Sequence, residues 1–263
     1  MIASRSLGRA GEQLLALLFI AGCLLLWEVI CRLGLVSSLV LPPPSAIARE
    51  FYSVCREIVA GGPLRTDSLV TLYETVAGFA LAIVIAFGCG VLIAELPVLR
   101  RVLMPYLIAL NAAPKIAFAP LILVWFGFGM SSKVVMAALV AFFPPLVNVI
   151  AGIAGADPQK LRLMRSLAAS RWTTFVKVKL PDAMPVIFAG LKTAIVFSVV
   201  GAVVGEFVGA DAGLGHVIKQ TDYQLDVALT FALIVLLSLM GILLFYAIEL
   251  IESRVLFWTR PQQ

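Results

Sequence analysis

Few side chains in this sequence are equipped for chemistry, and their types and spacing narrow what that chemistry can be. The one histidine, His216, has no cysteine or carboxylate cluster around it, so no metal site is expected. The cysteines Cys23, Cys31, Cys55 and Cys89 lack metal-ligand spacing; Cys23 and Cys89 lie in apolar runs as packing residues, and a Cys31–Cys55 disulfide is not expected. No Gly-x-x-x-x-Gly-Lys-Ser/Thr is present to cradle phosphates, no His-Glu-x-x-His, no Gly-x-Ser-x-Gly and no paired-carboxylate motif. The expectation is therefore no catalytic residue and no cofactor. What remains is charge in particular places. Asp157 to Asp182 is a basic island holding Lys160, Arg162, Arg165, Arg171, Lys177 and Lys179, with a net charge of +4. Lys115, Asn148 and Glu206 stand singly in apolar surroundings. Such residues dock, orient or gate; they do not make bonds.

The elements that must position them are apolar helices. The chain has 263 residues, 62% hydrophobic and 13% charged, where soluble proteins carry about 25% charged. A soluble helical core of this size needs charges on the outer face of every helix, and several segments have none. The class is all-α and polytopic. Windows long enough to cross about 30 Å of hydrocarbon fall at 14–30, 68–94, 102–125, 134–156, 183–208 and 227–251, six spans with the first the shortest. Arg5 and Arg9 ahead of an apolar run resemble a signal peptide, but Glu28, Arg32 and the missing small-residue cleavage pattern favour a retained span.

Charge sets the orientation. Taking the N-terminus as cytoplasmic, twelve basic residues gather inside (Arg5, Arg9, Arg100, Arg101, the six of the island, Arg254 and Arg260) and six outside (Arg32, Arg49, Arg56, Arg65, Lys133 and Lys219), which places both termini in the cytoplasm. The net charge of +5 is thus a topology signal, and nucleic acid is not an expected partner. Between the first two spans, Leu41–Pro44 is extended; Ser45 is expected to cap an amphipathic helix to Ile58, with Ile47, Phe51, Val54 and Ile58 on one face, lying flat at the outer surface. Pro105, Pro114 and Pro120 should break the third span, and Pro144-Pro145 should kink the fourth near Asn148.

The island itself reads as two short helices. Asp157 suits an N-cap and Pro158 the first turn; Leu161, Met164, Leu167 and Ala168 recur at helical spacing; Ser170 can cap a second helix, which Pro181 should stop. The stretch from Asp157 to Lys192 resembles the cytoplasmic coupling loop, or EAA motif, of ABC-importer permeases. Arg162-Leu163-Met164 fill the Glu-Ala-Ala triplet, Ala168 the Gly place, Val178 the Ile place, and Leu180-Pro181 match. LAASRW, LPDAMPVIFAGLK, LPPPSAIAREF, NAAPKIAFAPLILVWFGFGMSSK and GEFVGADAGLGHVI are similar to the nitrate/sulfonate/taurine branch, and the resemblance runs from about Pro42 to Ile251. Arg162 departs from the family's acid. Ala168 departs from its Gly, so a left-handed C-cap there would cost about 1 kcal/mol more.

The resemblance implies a type I ABC-importer permease (MetI-like) fold in one domain, 1–263, with a core at 68–251 and a coupling loop at 157–182. It implies a bacterial inner-membrane subunit, not itself an ATPase, that moves a small solute such as nitrate, a sulfonate or taurine into the cytoplasm. The implied partners are a cytoplasmic ABC ATPase dimer, a periplasmic substrate-binding protein, a second copy of the chain, and the bilayer. Leu161, Arg162, Met164, Arg165, Leu167, Ala168, Ala169 and Arg171 would meet the ATPase; Lys115, Asn148 and Glu206 would be path candidates. Lys115, about 20 Å along the third span from Val102, either faces a cavity or snorkels along a proline kink. Glu206 either gates the path or sits at the interface. An ion-gradient transporter or channel is the competing class, but it calls for inverted repeats and a midplane ion site, and no repeat is visible.

Overall fold

The computed structural model describes residues 9–257. Arg5, Arg260 and both chain termini, used above for orientation, lie outside the described residues. Twelve α-helices follow one another, and among the described residues there is no strand: α1 (Arg9–Arg32), α2 (Pro44–Ala60), α3 (Pro63–Glu95), α4 (Pro97–Ala112), α5 (Ala119–Phe126), α6 (Met130–Ala141), α7 (Phe143–Ala154), α8 (Pro158–Ser166), α9 (Arg171–Thr174), α10 (Leu180–Gly209), α11 (Leu214–Tyr223) and α12 (Val227–Val255). Four continuous helical stretches are long and apolar enough to cross a membrane: Gln13–Arg32, Pro63–Glu95, Arg171–Gly209 and Val227–Val255. Two bent pairs pass the same test when each is taken as one broken segment, α4 with Lys115–Phe126 at 81° and α6 with α7 at 40°. Counted so, they give up to the six segments expected; one break falls at Ala113-Pro114 and the other at Phe142, just before Pro144 and Pro145 in the first turn of α7, prolines that lack a backbone N–H.

The chain forms two compact units. The first joins Met1–Gly62 with Ile218–Leu236. In it the amphipathic helix is present, with Ile47 and Val54 buried, but it begins at Pro44 with no side-chain cap. Ser45 is not the cap. Its N–H and hydroxyl donate to Glu28 at 3.0 and 2.7 Å, because Glu28 also holds Arg32 and has acceptor capacity to spare. Trp27 meets Phe231 edge-on at 6.4 Å. All four cysteines are free thiols.

The second unit, Pro63–Val217 with Leu237–Gln263, holds a bundle of α3, α6, α7 and α10. Helices in lipid gain little from burying apolar faces and associate through close packing, which small residues permit. A Cβ on Gly201 of α10 would come within 2.7 Å of the Ala137 Cα of α6, and one on Gly190 within 2.8 Å of the Asn148 Cβ of α7. Buried Ala82, Ala86, Ala141, Ala183, Ala194 and Ala202 continue the pattern. α4 buries no residue at all.

One expectation is corrected. Pro181 does not end the helix begun at Ser170. α9 passes through a π-helical turn, Phe175–Lys179, into α10, so helix runs unbroken from Arg171 to Gly209. The wider turn pairs the Leu180 N–H with the Phe175 carbonyl and accommodates a proline that cannot donate within the usual spacing. The loop proper is therefore Asp157–Ser170.

Candidate functional site

At one end of α10, α8 is bounded by devices its sequence supplies. The Asp157 carboxylate accepts from Gln159 N–H at 2.7 Å, and Pro158 occupies the first turn. At the other end Ala169 N–H donates to Met164 C=O and Ala168 N–H to Arg165 C=O, each at 3.0 Å, with Ala168 at φ 49°. This is a Schellman closure with alanine in the place glycine usually takes. Ser170 then caps α9 through Thr173 N–H at 3.1 Å. One ion pair ties the loop to α10, Lys160–Asp182 at 2.6 Å, and a second, Lys179–Glu95 at 2.7 Å, ties the π-helical turn beyond it to the end of α3. The hydrogen bond to Asp182 raises the Lys160 ammonium above its ordinary range.

Three large apolar side chains are exposed on the loop and just after it. Leu163, Leu167 and Trp172 are 58, 67 and 73% exposed, Trp172 stacked on Phe175. Arg162, Arg165, Ala168 and Arg171 are exposed around them, while Leu161, Met164 and Ala169 are half-buried. The sequence reading therefore had the stripe's neighbours but not its turn: Leu163 and Trp172, outside the i, i+3, i+4 pattern, face out, and Leu161 and Met164 face in. The hydrophobicity of an otherwise polar helix was the available signal.

Lys115 opens a short 3₁₀ turn after Pro114 and is half-buried. Its Nζ donates to the Asn111 carbonyl at 2.8 Å and to Asn111 Oδ1 at 3.1 Å, and lies 4.9 Å from the Phe143 ring centre. Pro114 and the break deprive the end of α4 of amide donors, and the lysine supplies one along with a charge suited to a helix C-terminus. Asn148 is half-buried in α7, donating to Pro144 C=O at 2.8 Å. The structure thus leaves Lys115, Asn148 and Glu206 in three separate local settings.

Glu206, 1% exposed, belongs to a buried polar cluster at the other end of α10. It accepts from Thr71 Oγ1 at 2.6 Å and from Gly215 N–H. Leu214 N–H donates to Thr71 Oγ1 at 2.8 Å, and Gly213 N–H to the Asp67 carboxylate at 2.8 Å. These three successive amides open α11, so its otherwise orphaned donors are met by α3 and α10. Gly213 has φ 110°, and a Cβ there would strike the Glu206 carboxyl. Close by, Glu74 is wholly buried with its Oε1 3.9 Å from Lys133 Nζ. Lys133 is 6% exposed although its sequence position suggested an outer-surface charge. Asp67, Thr71 and Glu74 were not singled out from the sequence; their helical spacing was the available signal, and only the fold brings them to Glu206 and Gly213–Gly215.

Among the described residues no group of His, Cys, Asp and Glu is arranged to hold a metal. Comparison with known proteins agrees with a transport role. Residues 76–257 match the family described as binding-protein-dependent transport system inner membrane component. A riboflavin transport system permease protein of Chloroflexus aurantiacus is 34% identical over 89% of this chain and 86% of its own. A putative aliphatic sulfonates transport permease protein of Bacillus subtilis is 32% identical over 92% and 86%. In fold, the chain is similar to a permease chain of the inward-facing MetNI methionine ABC transporter, with TM-score 0.62 and 20% identity over 76% of this chain and 96% of that one. With two-thirds of its length on the family model and four to six candidate membrane spans in the matching fold, the chain belongs to the inner-membrane components of binding-protein-dependent transport systems, the permeases of ABC importers.

Proposed function

We propose that the loop Asp157–Ser170 is where this permease receives force from a cytoplasmic ABC ATPase. The observation that carries the reading is three large apolar side chains left exposed, Leu163 and Leu167 on the loop and Trp172 just past it, with Arg162, Arg165 and Arg171 exposed as well, on a loop bounded by two caps and tied to α10 by Lys160–Asp182. An exposed apolar cluster at the end of a rigid lever needs a groove to enter, and its cations call for an acidic rim. ATP binding would close the ATPase dimer and drive two such loops together. The spans would then rock between packings, and hydrolysis would return them. A periplasmic binding protein would deliver solute to the outer face.

The break between α4 and α5 supports a second copy. Their break leaves non-helical backbone at membrane depth beside an exposed face that includes Ile116, Leu121, Val124 and Trp125. Such backbone is tolerated only against protein or a wet cavity. A homodimer closing over this face meets that demand and puts two copies of Lys115 near one axis, where they would favour a small anion; the aliphatic-sulfonate relative supports that cargo class, while the riboflavin relative shows the family is not confined to it.

Leu167→Asp tests the coupling role. A charge forced into a desolvated groove costs several kcal/mol unless paired. Copurification of the ATPase in mild detergent should fail, with membrane insertion normal. Transport at the ordinary rate with the ATPase still bound would remove Leu167 from the groove.

A further inference from the structure

Where α4 begins, it leans on the end of α7 across a cavity of about 620 Å³. Its walls are apolar, formed by Met104, Pro105, Ile108, Val147 and Ile150 among others, and its mouth carries Arg100 and Arg101. Neither arginine is in an ion pair among the described residues. The acid next to them in sequence, Glu95, is committed to Lys179. The N-terminus of α4 opens at the same place: Leu96 provides no side-chain cap, Pro97 is in the first turn, and no acid follows there. The free amides of that turn and the two guanidinium groups all favour an anion.

We infer that this groove binds an anionic phospholipid, with its phosphate held by Arg100, Arg101 and the start of α4 and an acyl chain laid against Met104, Ile108 and Val147. The charge pattern selects this occupant. A small hydrated anion gains nothing from the apolar trough, which runs about 12 Å from Arg100 to Ile108 at the helical rise. A zwitterionic lipid gains less, because the cation of its headgroup opposes the two arginines. A basic mouth on an inter-helix groove at the membrane surface is the setting in which anionic headgroups are held. The site requires only that the chain sit in a bilayer, so it stands or falls apart from the cargo and from the coupling reading.

The test is native mass spectrometry of the full-length protein purified in mild detergent, titrated with phosphatidylglycerol and with phosphatidylcholine of the same chain length. One phosphatidylglycerol per chain should bind in preference. Arg100→Gln with Arg101→Gln should weaken that binding roughly thirtyfold, from the usual worth of two basic residues at a lipid surface. Ala151→Phe keeps both arginines but fills the trough from an exposed position, and should weaken it also. Equal binding of phosphatidylcholine, or full binding by the double Gln variant, overturns the inference. So does competition by glycerol phosphate at the lipid's own potency, which would mean a bare phosphate site. A disulfide between Cys residues introduced at Ala154 in two copies would place a chain–chain interface here and overturn it as well.

Discussion

Replacing Thr71 with valine is expected to release the start of α11 from the bundle. Thr71 is fully buried, and its hydroxyl donates to Glu206 while accepting from Leu214 N–H. Valine keeps the shape, so no cavity opens and the loss is polar alone. Two buried groups lose their partner: the Leu214 amide, in a residue with no exposed surface, and one oxygen of Glu206. At about 1–3 kcal/mol for each orphaned group, the cost is about 3 kcal/mol with partial relaxation. For a chain of this size that corresponds to a fall of roughly 6–12 °C in the unfolding temperature measured in detergent. Glu206→Gln made on top of Thr71→Val should cost less than it does alone, because the two share a network. A fall of under about 2 °C for Thr71→Val, or strict additivity of the pair, would refute the claim that these side chains hold the loop.

Three further outcomes are expected. Ala168→Gly should stabilise the loop by about 1 kcal/mol, because Ala168 occupies a left-handed C-cap; hydrogen exchange at the Ala169 amide should slow about fivefold, and unchanged exchange would mean that the closure carries no strain. Lys115→Met should slow uptake strongly with ATPase assembly intact, and Lys115→Arg should retain part of it; unaltered uptake in the Met variant would leave Lys115 as the cap of α4 and nothing more. A single cysteine at Ser170 should react with an impermeant reagent only when added from the cytoplasmic side, and labelling in intact cells would reverse the proposed topology.

The helices were legible because six windows of unbroken hydropathy admit little else, and the breaks because proline removes a specific donor. Asp157, Ser170 and the left-handed Ala168 were legible for a similar reason: caps are local, and their partners lie within five residues. What the sequence hid is long-range. Lys133 reads as a surface cation until α6 places it beside Glu74, and Glu206 reads equally as a gate or an interface residue, with no sign of the Gly215 amide that it accepts from. The outward turn of Leu163 and Trp172 was hidden differently, since periodicity finds an apolar stripe but does not say whether it faces the bundle or a partner. Pro181 was misjudged because a π-helical turn offers a proline an exit that the usual spacing does not.

That turn has a mechanical consequence. From Arg171 to Gly209 there are 39 residues of continuous helix, about 58 Å at the helical rise, with no loop along the way to absorb a push. One end carries the exposed Trp172 of the proposed docking face, and near the other Glu206 accepts from the Gly215 amide of α11. A strut of this kind makes the two surfaces of the membrane answer to each other. If docking at the inner end favours one setting of the outer loop, then whatever seats on the outer loop must change the strength of docking by the same factor, so a solute-laden delivery protein on one side would be felt as grip on the other.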